Sequence, residues 1–305
     1  MRIVLTGQAA FGAKVLQSLL DRKENIVAVF LPPDKPGARL DPLKDLAQRT
    51  GVPVYQPHHM RDPGVYDKFA ELSADLAIMA FVTDIVPERI LKAPRLGTIQ
   101  YHPSLLPRHR GGSAINWAII HGDAATGITI FWPDGGIDTG PILLQKQTDI
   151  LPDDTVGTLY FERLFPMGVE ALMESLDLIC QDKAPKIPQD ESNATYEGLC
   201  REEDGIISWD APGSVVYRLV RGTNPQPGAT TSFRGRTFKV FDSSLHEEES
   251  SGIPGEVLEV GKQGVLVACK QGSLAIRRVQ PQGQPKMGAA EFAGKESMTA
   301  GDRLG

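Results

Sequence analysis

The residues of this 305-residue chain best suited to chemistry are His102, Asp138 and Gln100, carried on two short segments, TIQYHPSLLPRHRGG (98–112) and GGIDTGP (135–141). An imidazole titrates near neutral pH, and a carboxylate beside it raises its basicity and fixes its orientation, the arrangement used in acyl transfer. Side chains two apart on a strand share a face, so Gln100 and His102 point one way while Ile99 and Tyr101 point the other. Pro103 cannot continue a central strand's hydrogen bonding, which places His102 at the strand end, where open parallel sheets bind ligands. Asp138, 36 residues after His102, sits among Gly135, Gly136 and Gly140, whose tight turns leave its carboxylate on a constrained loop. Taken singly, each residue has a plain alternative: a satisfied histidine at a strand terminus and an Asx-type turn.

The elements that must position these residues alternate. Arg2–Thr6, Ile26–Leu31, Asp75–Ala80 and Thr98–Tyr101 are short apolar runs, and Phe11–Leu20, Asp41–Thr50 and Tyr66–Leu72 carry helical spacing between them. This pattern predicts a Rossmann-like α/β domain over 1–183, built on a mostly parallel sheet covered by helices. A further helix is expected at Ala114–His121, followed by the strand ITIFW and an antiparallel addition, PILLQKQTDI. One long amphipathic helix is expected over Thr155–Cys180 with Asp154 as its N-cap. Residues 184–204 are polar and proline-bearing and read as a linker wrapping the surface. Beyond them, over 205–305, one helix (Pro212–Arg221) and short β-like runs (TFKVF, GEVLEV, GVLVACK, SLAIRRV) predict a small β-barrel, OB-like domain with a short peripheral tail.

Composition narrows the function classes. The chain is long enough for two cores, and 41% hydrophobic with 23% charged residues is ordinary for a globular protein. No apolar run reaches the roughly 18 residues of a membrane span, so no membrane partner is expected. The start, MRIVLTG, lacks targeting features, and Cys180, Cys200 and Cys269 show neither disulfide nor metal spacing; the expectation is a cytoplasmic protein without a metal. A net charge of −6 argues against a surface that coats nucleic acid.

YHPSLLPRHRGG, followed by INW and then GGIDTGPILLQ, resembles the folate-dependent formyltransferases, a group that includes enzymes acting on methionyl-tRNA and the hydrolase domain of 10-formyltetrahydrofolate dehydrogenase. The likeness extends from MRIVLTGQAAFG through LPDDTVGTLY and NATYEG into the C-terminal β domain. It implies 10-formyltetrahydrofolate as substrate, tetrahydrofolate as product, and a catalytic Asn, His and Asp that fall on Gln100, His102 and Asp138. Gln100 departs from that pattern by one methylene, so its amide reaches further and less rigidly. The resemblance also puts the pterin beside Met79–Pro87, with Phe81, Ile85 and Val86 as walls, and beside the loop Ser104, Leu105, Leu106, Pro107.

The acceptor is read from what is missing. The loop PPDKPGARLDPLKD is short and nearly charge-balanced, whereas the tRNA enzymes of the group carry a longer basic insertion there. Water or another small acceptor, as in the hydrolase domain, is therefore the first expectation and a tRNA acceptor the second. Carrier and aldehyde dehydrogenase modules, if they accompany this activity, would lie outside these 305 residues. A non-catalytic folate-binding module is a third reading, suggested by Gln100. A dinucleotide site at GQAAFG is weak, because the spacing is not GxGxxG and no acidic residue ends the second strand.

Overall fold

The computed structural model describes residues 1–248 and 252–305. In chain order its main elements are β1 (Arg2–Gly7), α1 (Ala9–Asp21), β2 (Asn25–Phe30), α2 (Pro42–Arg49), β3 (Val54–Tyr55), α3 (Val65–Glu71), β4 (Leu76–Ala80), α4 (Glu88–Leu91) and β5 (Thr98–His102). Then come α5 (Ala114–His121), β6 (Ala125–Phe131), β7 (Ile142–Asp149), α6 (Val156–Leu159) and α7 (Phe165–Cys180). The chain continues with α8 (Gly213–Gly222), β8 (Ala229–Phe233), β9 (Arg236–His246), β10 (Val257–Gly261), β11 (Gly264–Ala268), β12 (Ser273–Pro281), β13 (Met287–Gly288) and α9 (Ala289–Lys295). It divides into two compact units, residues 1–112 with 126–148 and 161–197, and residues 113–125 with 149–160 and 198–305.

The first unit is a seven-stranded sheet in the order β3-β2-β1-β4-β5-β6-β7. Strands β3 to β5 pair in parallel and β6 joins β5 antiparallel, so the mixed, mostly parallel sheet expected from the alternation is present. Ile3, Val4 and Leu5 of β1 and all of β4 are buried, as parallel strands covered on both faces require. The strand order reverses beside β1, and the loops that follow β1, β4 and β5 gather along this end of the sheet. Gly7 is needed there: a Cβ would run into the carbonyl oxygen of Ala80, where β1 and β4 end side by side. Asp41 fixes the entry to α2, accepting from the Leu43 N–H at 2.8 Å and the Ala9 N–H at 2.9 Å, with Pro42 at the first helical position.

The single helix expected over 155–180 is interrupted. Thr155, not Asp154, caps α6 through reciprocal bonds with Thr158 at 3.1 and 2.9 Å; Asp154 accepts from the Leu151 N–H instead. A π-helical turn over Tyr160–Leu164 separates α6 from α7. The physical reason is Pro166, which has no N–H and would clash with the preceding turn of a continuous α-helix.

The second unit carries an antiparallel sheet in the order β10-β11-β12-β9-β8, with β13 on β12. Its core joins Trp209, Val220, Phe233, Phe238, Leu274 and Phe292, and α5 is tied to α8 by the Asn116 amide donating to the Gly222 carbonyl at 2.8 Å. The tail expected to be peripheral is structural. Phe292 of α9 and Leu304 are buried; the Leu304 N–H donates to Gly255 and the Gly305 N–H to Ser232, while Asp302 accepts from Val257. Residues 302–305 thus bridge the strand ends flanking β8 and β10 and close the sheet, because the apolar side of Leu304 completes a core the strands alone leave open.

Candidate active site

Strand β5 ends on His102 as its register demands. Gln100 stands between Met79 of β4 and Phe131 of β6, and His102 lies one pleat further, opposite Thr129. Gln100 is partly exposed and His102 is buried. The imidazole is held at both nitrogens. Its Nε2 lies 2.8 Å from the His109 carbonyl oxygen; a carbonyl only accepts, so Nε2 carries the proton and donates. Its Nδ1 faces Asp138 Oδ2 at 3.5 Å, so the two residues suspected from spacing meet in the fold. The nitrogen left for proton transfer is therefore Nδ1, beside the carboxylate.

Asp138 is held as firmly. Its backbone is in the left-handed region, φ 55°, and its Oδ2 accepts from the Gly111 N–H at 2.9 Å. The Gly135–Pro141 turn is organised by Asp134, which accepts from the Gly136 N–H and the Thr139 hydroxyl. Gly111 itself has φ 109°, and a Cβ there would collide with the Glu197 carbonyl oxygen. Gly111→Ala is thus expected to pull its N–H off Asp138 and lower kcat by about tenfold or more, with steady-state kinetics as the check and the melting temperature as control.

The loop between these two anchors is knitted to residues 189–197. The His109 N–H donates to the Thr195 hydroxyl at 2.8 Å, the Arg110 N–H to the Thr195 carbonyl at 3.0 Å, and the Glu197 N–H to the Arg110 carbonyl at 3.1 Å. The His109 imidazole faces Glu197 at 3.3 Å. The buried Arg110 guanidinium donates to Glu191 at 3.0 and 2.7 Å and to Gln189 Oε1 at 2.9 Å. This bidentate pairing raises Arg110 further above its usual range and lowers Glu191 below the usual carboxylate range, so both stay ionised at neutral pH. Spacing alone singled out none of Gln189, Glu191, Thr195 and Glu197; Arg110 appeared only as part of a basic exit from β5.

The remaining expected site residues divide. Phe81, φ 64° and half exposed, lines a small crevice of about 40 Å³ at the ends of β1, β2 and β4, with Gln8, Phe30, Met60, Thr83 and Asp84. Ile85 is 71% exposed, while Val86 packs against a core cluster with Val4, Phe30 and Phe69. Ser104 and Leu106 lie in the interior: the Ser104 hydroxyl donates to the Arg108 carbonyl at 2.6 Å, and the Leu106 N–H donates to Thr129 while its carbonyl accepts from Gln145. Leu105 and Pro107 are half-buried, Leu105 against Gly127. Among the described residues no helix is long and apolar enough to cross a membrane.

Comparison with known proteins gives this geometry its setting. Residues 1–176 match the model of the formyl transferase family and residues 200–296 that of the formyl transferase C-terminal domain. The chain is 39% identical to methionyl-tRNA formyltransferase of Trichlorobacter lovleyi over 308 residues, covering 99% of this chain and 96% of that one. It is 41% identical to cytosolic 10-formyltetrahydrofolate dehydrogenase of Mus musculus over 306 residues, which is 96% of this chain but only 34% of the dehydrogenase. In fold it is similar to HypX from Aquifex aeolicus (TM-score 0.71, 21% identity, 99% of this chain and 48% of that one). It is also similar to an N-formyltransferase from Helicobacter canadensis (TM-score 0.71, 18% identity, 92% and 98%). With both family models matched in sequence order and relatives near 40% identity aligned over almost all of its length, the chain belongs to the formyl transferase family.

Proposed function

We propose that the chain takes the formyl group of 10-formyltetrahydrofolate and passes it to the amino group of methionyl-tRNA. What carries the formyl-transfer reading is the buried imidazole–carboxylate pair, His102 Nδ1 to Asp138 Oδ2 at 3.5 Å, in a chain of this family. What supports the acceptor is coverage: methionyl-tRNA formyltransferases match this chain end to end, whereas the dehydrogenases match it over about a third of their length. That reverses the ranking drawn from the short, charge-balanced loop after β2.

The chemistry suits the residues. The acceptor amine attacks the formyl carbon, a C–N bond forms, and the carbonyl π pair moves onto oxygen. The amine's proton passes to His102 Nδ1, whose partner Nε2 keeps its own proton on the His109 carbonyl. The imidazolium so formed is stabilised by Asp138. The positively charged ring faces the oxyanion and the Gln100 amide donates to it, an interaction whose loss typically costs about a hundredfold in rate. As the tetrahedral intermediate collapses, N10 takes the proton and the C–N10 bond breaks, leaving tetrahydrofolate and the formylated amine. We assign the pterin to the cleft flanked by Phe81, Ile85 and Val86 and by Ser104–Pro107. Phe81 and the outward Ile85 supply apolar contact, and the buried Ser104 and Leu106 hold the loop.

A second reading keeps the same steps with water as acceptor, favoured by Gln100, whose longer amide makes a less rigid oxyanion donor than asparagine. Incubating the protein with 10-formyltetrahydrofolate, with and without methionyl-tRNA, separates the two. The expected result is one formylmethionyl-tRNA per tetrahydrofolate and negligible release without tRNA. Tetrahydrofolate release at an undiminished rate without tRNA overturns the amine acceptor in favour of water.

A further inference from the structure

We propose that Gln189 is a positioning residue for formyl transfer, one side chain that sets both catalytic loops at once. The inference rests on the assignment of His102 and Asp138 as the catalytic pair. Gln189 lies in a polar, proline-flanked stretch that offers no chemistry of its own, yet every hydrogen-bonding group of its amide is directed at the site. Nε2 donates to the Asp138 carbonyl at 2.8 Å and to the Gly140 carbonyl at 2.7 Å, fixing the turn at the left-handed Asp138 and just after it. Oε1 accepts from Arg110 Nη2 at 2.9 Å and Nε at 3.2 Å. Arg110 is the residue between His109, whose carbonyl holds His102, and Gly111, whose N–H holds Asp138.

The amide therefore joins the two backbone segments that aim the imidazole and the carboxylate at each other. A carboxamide suits this place better than any other side chain, because it offers two N–H donors to two carbonyls and one oxygen to a guanidinium on a single rigid plane. Arg110 is in turn held by Glu191, so the stretch after α7 supplies a small frame around the buried guanidinium: partly buried Gln189 across the loops and exposed Glu191 on the solvent side of the cation. The 3.5 Å separation of His102 Nδ1 and Asp138 Oδ2 is the quantity this frame sets.

Two variants test it in the full chain. Gln189→Met keeps the length and loses all four hydrogen bonds. Gln189→Glu keeps the oxygen facing Arg110 and replaces the donors with a carboxylate oxygen that repels both carbonyls. Both are expected to lower kcat by about 30- to 100-fold, the cost of misaligning a catalytic pair by an ångström or less, with KM for 10-formyltetrahydrofolate within about twofold of the parent. In the ¹⁵N spectrum of the imidazoles, the His102 Nδ1 resonance is expected to move in both variants, because its carboxylate neighbour has moved. Parental kcat together with an unmoved His102 resonance in both variants overturns the proposal, as does a fall in kcat matched by an equal rise in KM with that resonance unmoved. The catalytic assignment is judged separately by His102→Ala. If that variant turns over normally, the assignment of the pair fails, and the imidazole spectra of the Gln189 variants alone decide whether Gln189 sets its geometry.

Discussion

His102→Ala is expected to reduce kcat by three orders of magnitude or more, about 4 kcal/mol of transition-state stabilisation, while folate binding stays within a few-fold of the parent. The size follows from the double use of one ring: its Nδ1 moves the proton and, once charged, the imidazolium faces the developing oxyanion. The binding result follows from position, because the proposed pterin walls stand on the loop after β4 rather than on β5. Removing the ring also removes the Nε2–H that donates to the His109 carbonyl, so thermal unfolding must accompany the assay. The loss of one such bond costs on the order of 1 kcal/mol in stability and does not explain a thousandfold loss of rate. Single-turnover measurement of tetrahydrofolate release, with ligand binding followed by fluorescence, is the check. Turnover within tenfold of the parent sinks the assigned role.

Asp138→Asn is the second large effect and the cleaner of the two. Asparagine tolerates the left-handed backbone at φ 55° and retains an oxygen for the Gly111 N–H, so the substitution removes the charge and little else. The imidazolium then forms without its counter-charge, and kcat is expected to fall by about a hundred- to a thousandfold. Because the two side chains act as one unit, the double variant His102→Ala/Asp138→Asn should be little worse than His102→Ala alone. Costs that multiply would mean that the carboxylate works independently of the ring.

The pattern of short apolar runs and helical spacings in residues 1–102 was enough to read the parallel sheet, because burial on both faces leaves a strong local signature in β1, β4 and β5. The spacing of His102 and Asp138 raises their pairing without establishing it, and only the fold brings Nδ1 and Oδ2 to 3.5 Å. Features that depend on partners distant in sequence left no such trace. The π-turn at Tyr160–Leu164 hides within a continuous helical pattern, since apolar spacing records which face is buried and not how the backbone hydrogen bonds are made. Leu304 reads as part of a polar tail until the core it completes is known. Gln189, Glu191 and Thr195 look like an ordinary surface stretch because their bonds run to residues 49 to 86 positions earlier in the chain. Ser104 and Leu106 show the converse. A loop suspected of flanking a ligand turns two of its four residues inward, where Thr129 and Gln145 satisfy its backbone.

The closure made by residues 302–305 bears on how this protein behaves in a crowded solution. An unpaired strand edge is a template for a neighbouring molecule's strand, and aggregation often begins there. In the C-terminal sheet residues 302–305 meet one end of each edge strand, Leu304 bridging Phe233 of β8 and Arg303 bridging Glu256 just before β10. In the larger sheet β3 has only two residues to offer, and the β7 edge is met at Ile142 by Ile187, beyond which Lys146 and Asp149 place charges along it. Each sheet is thus partly blunted against strand addition, and by a different means.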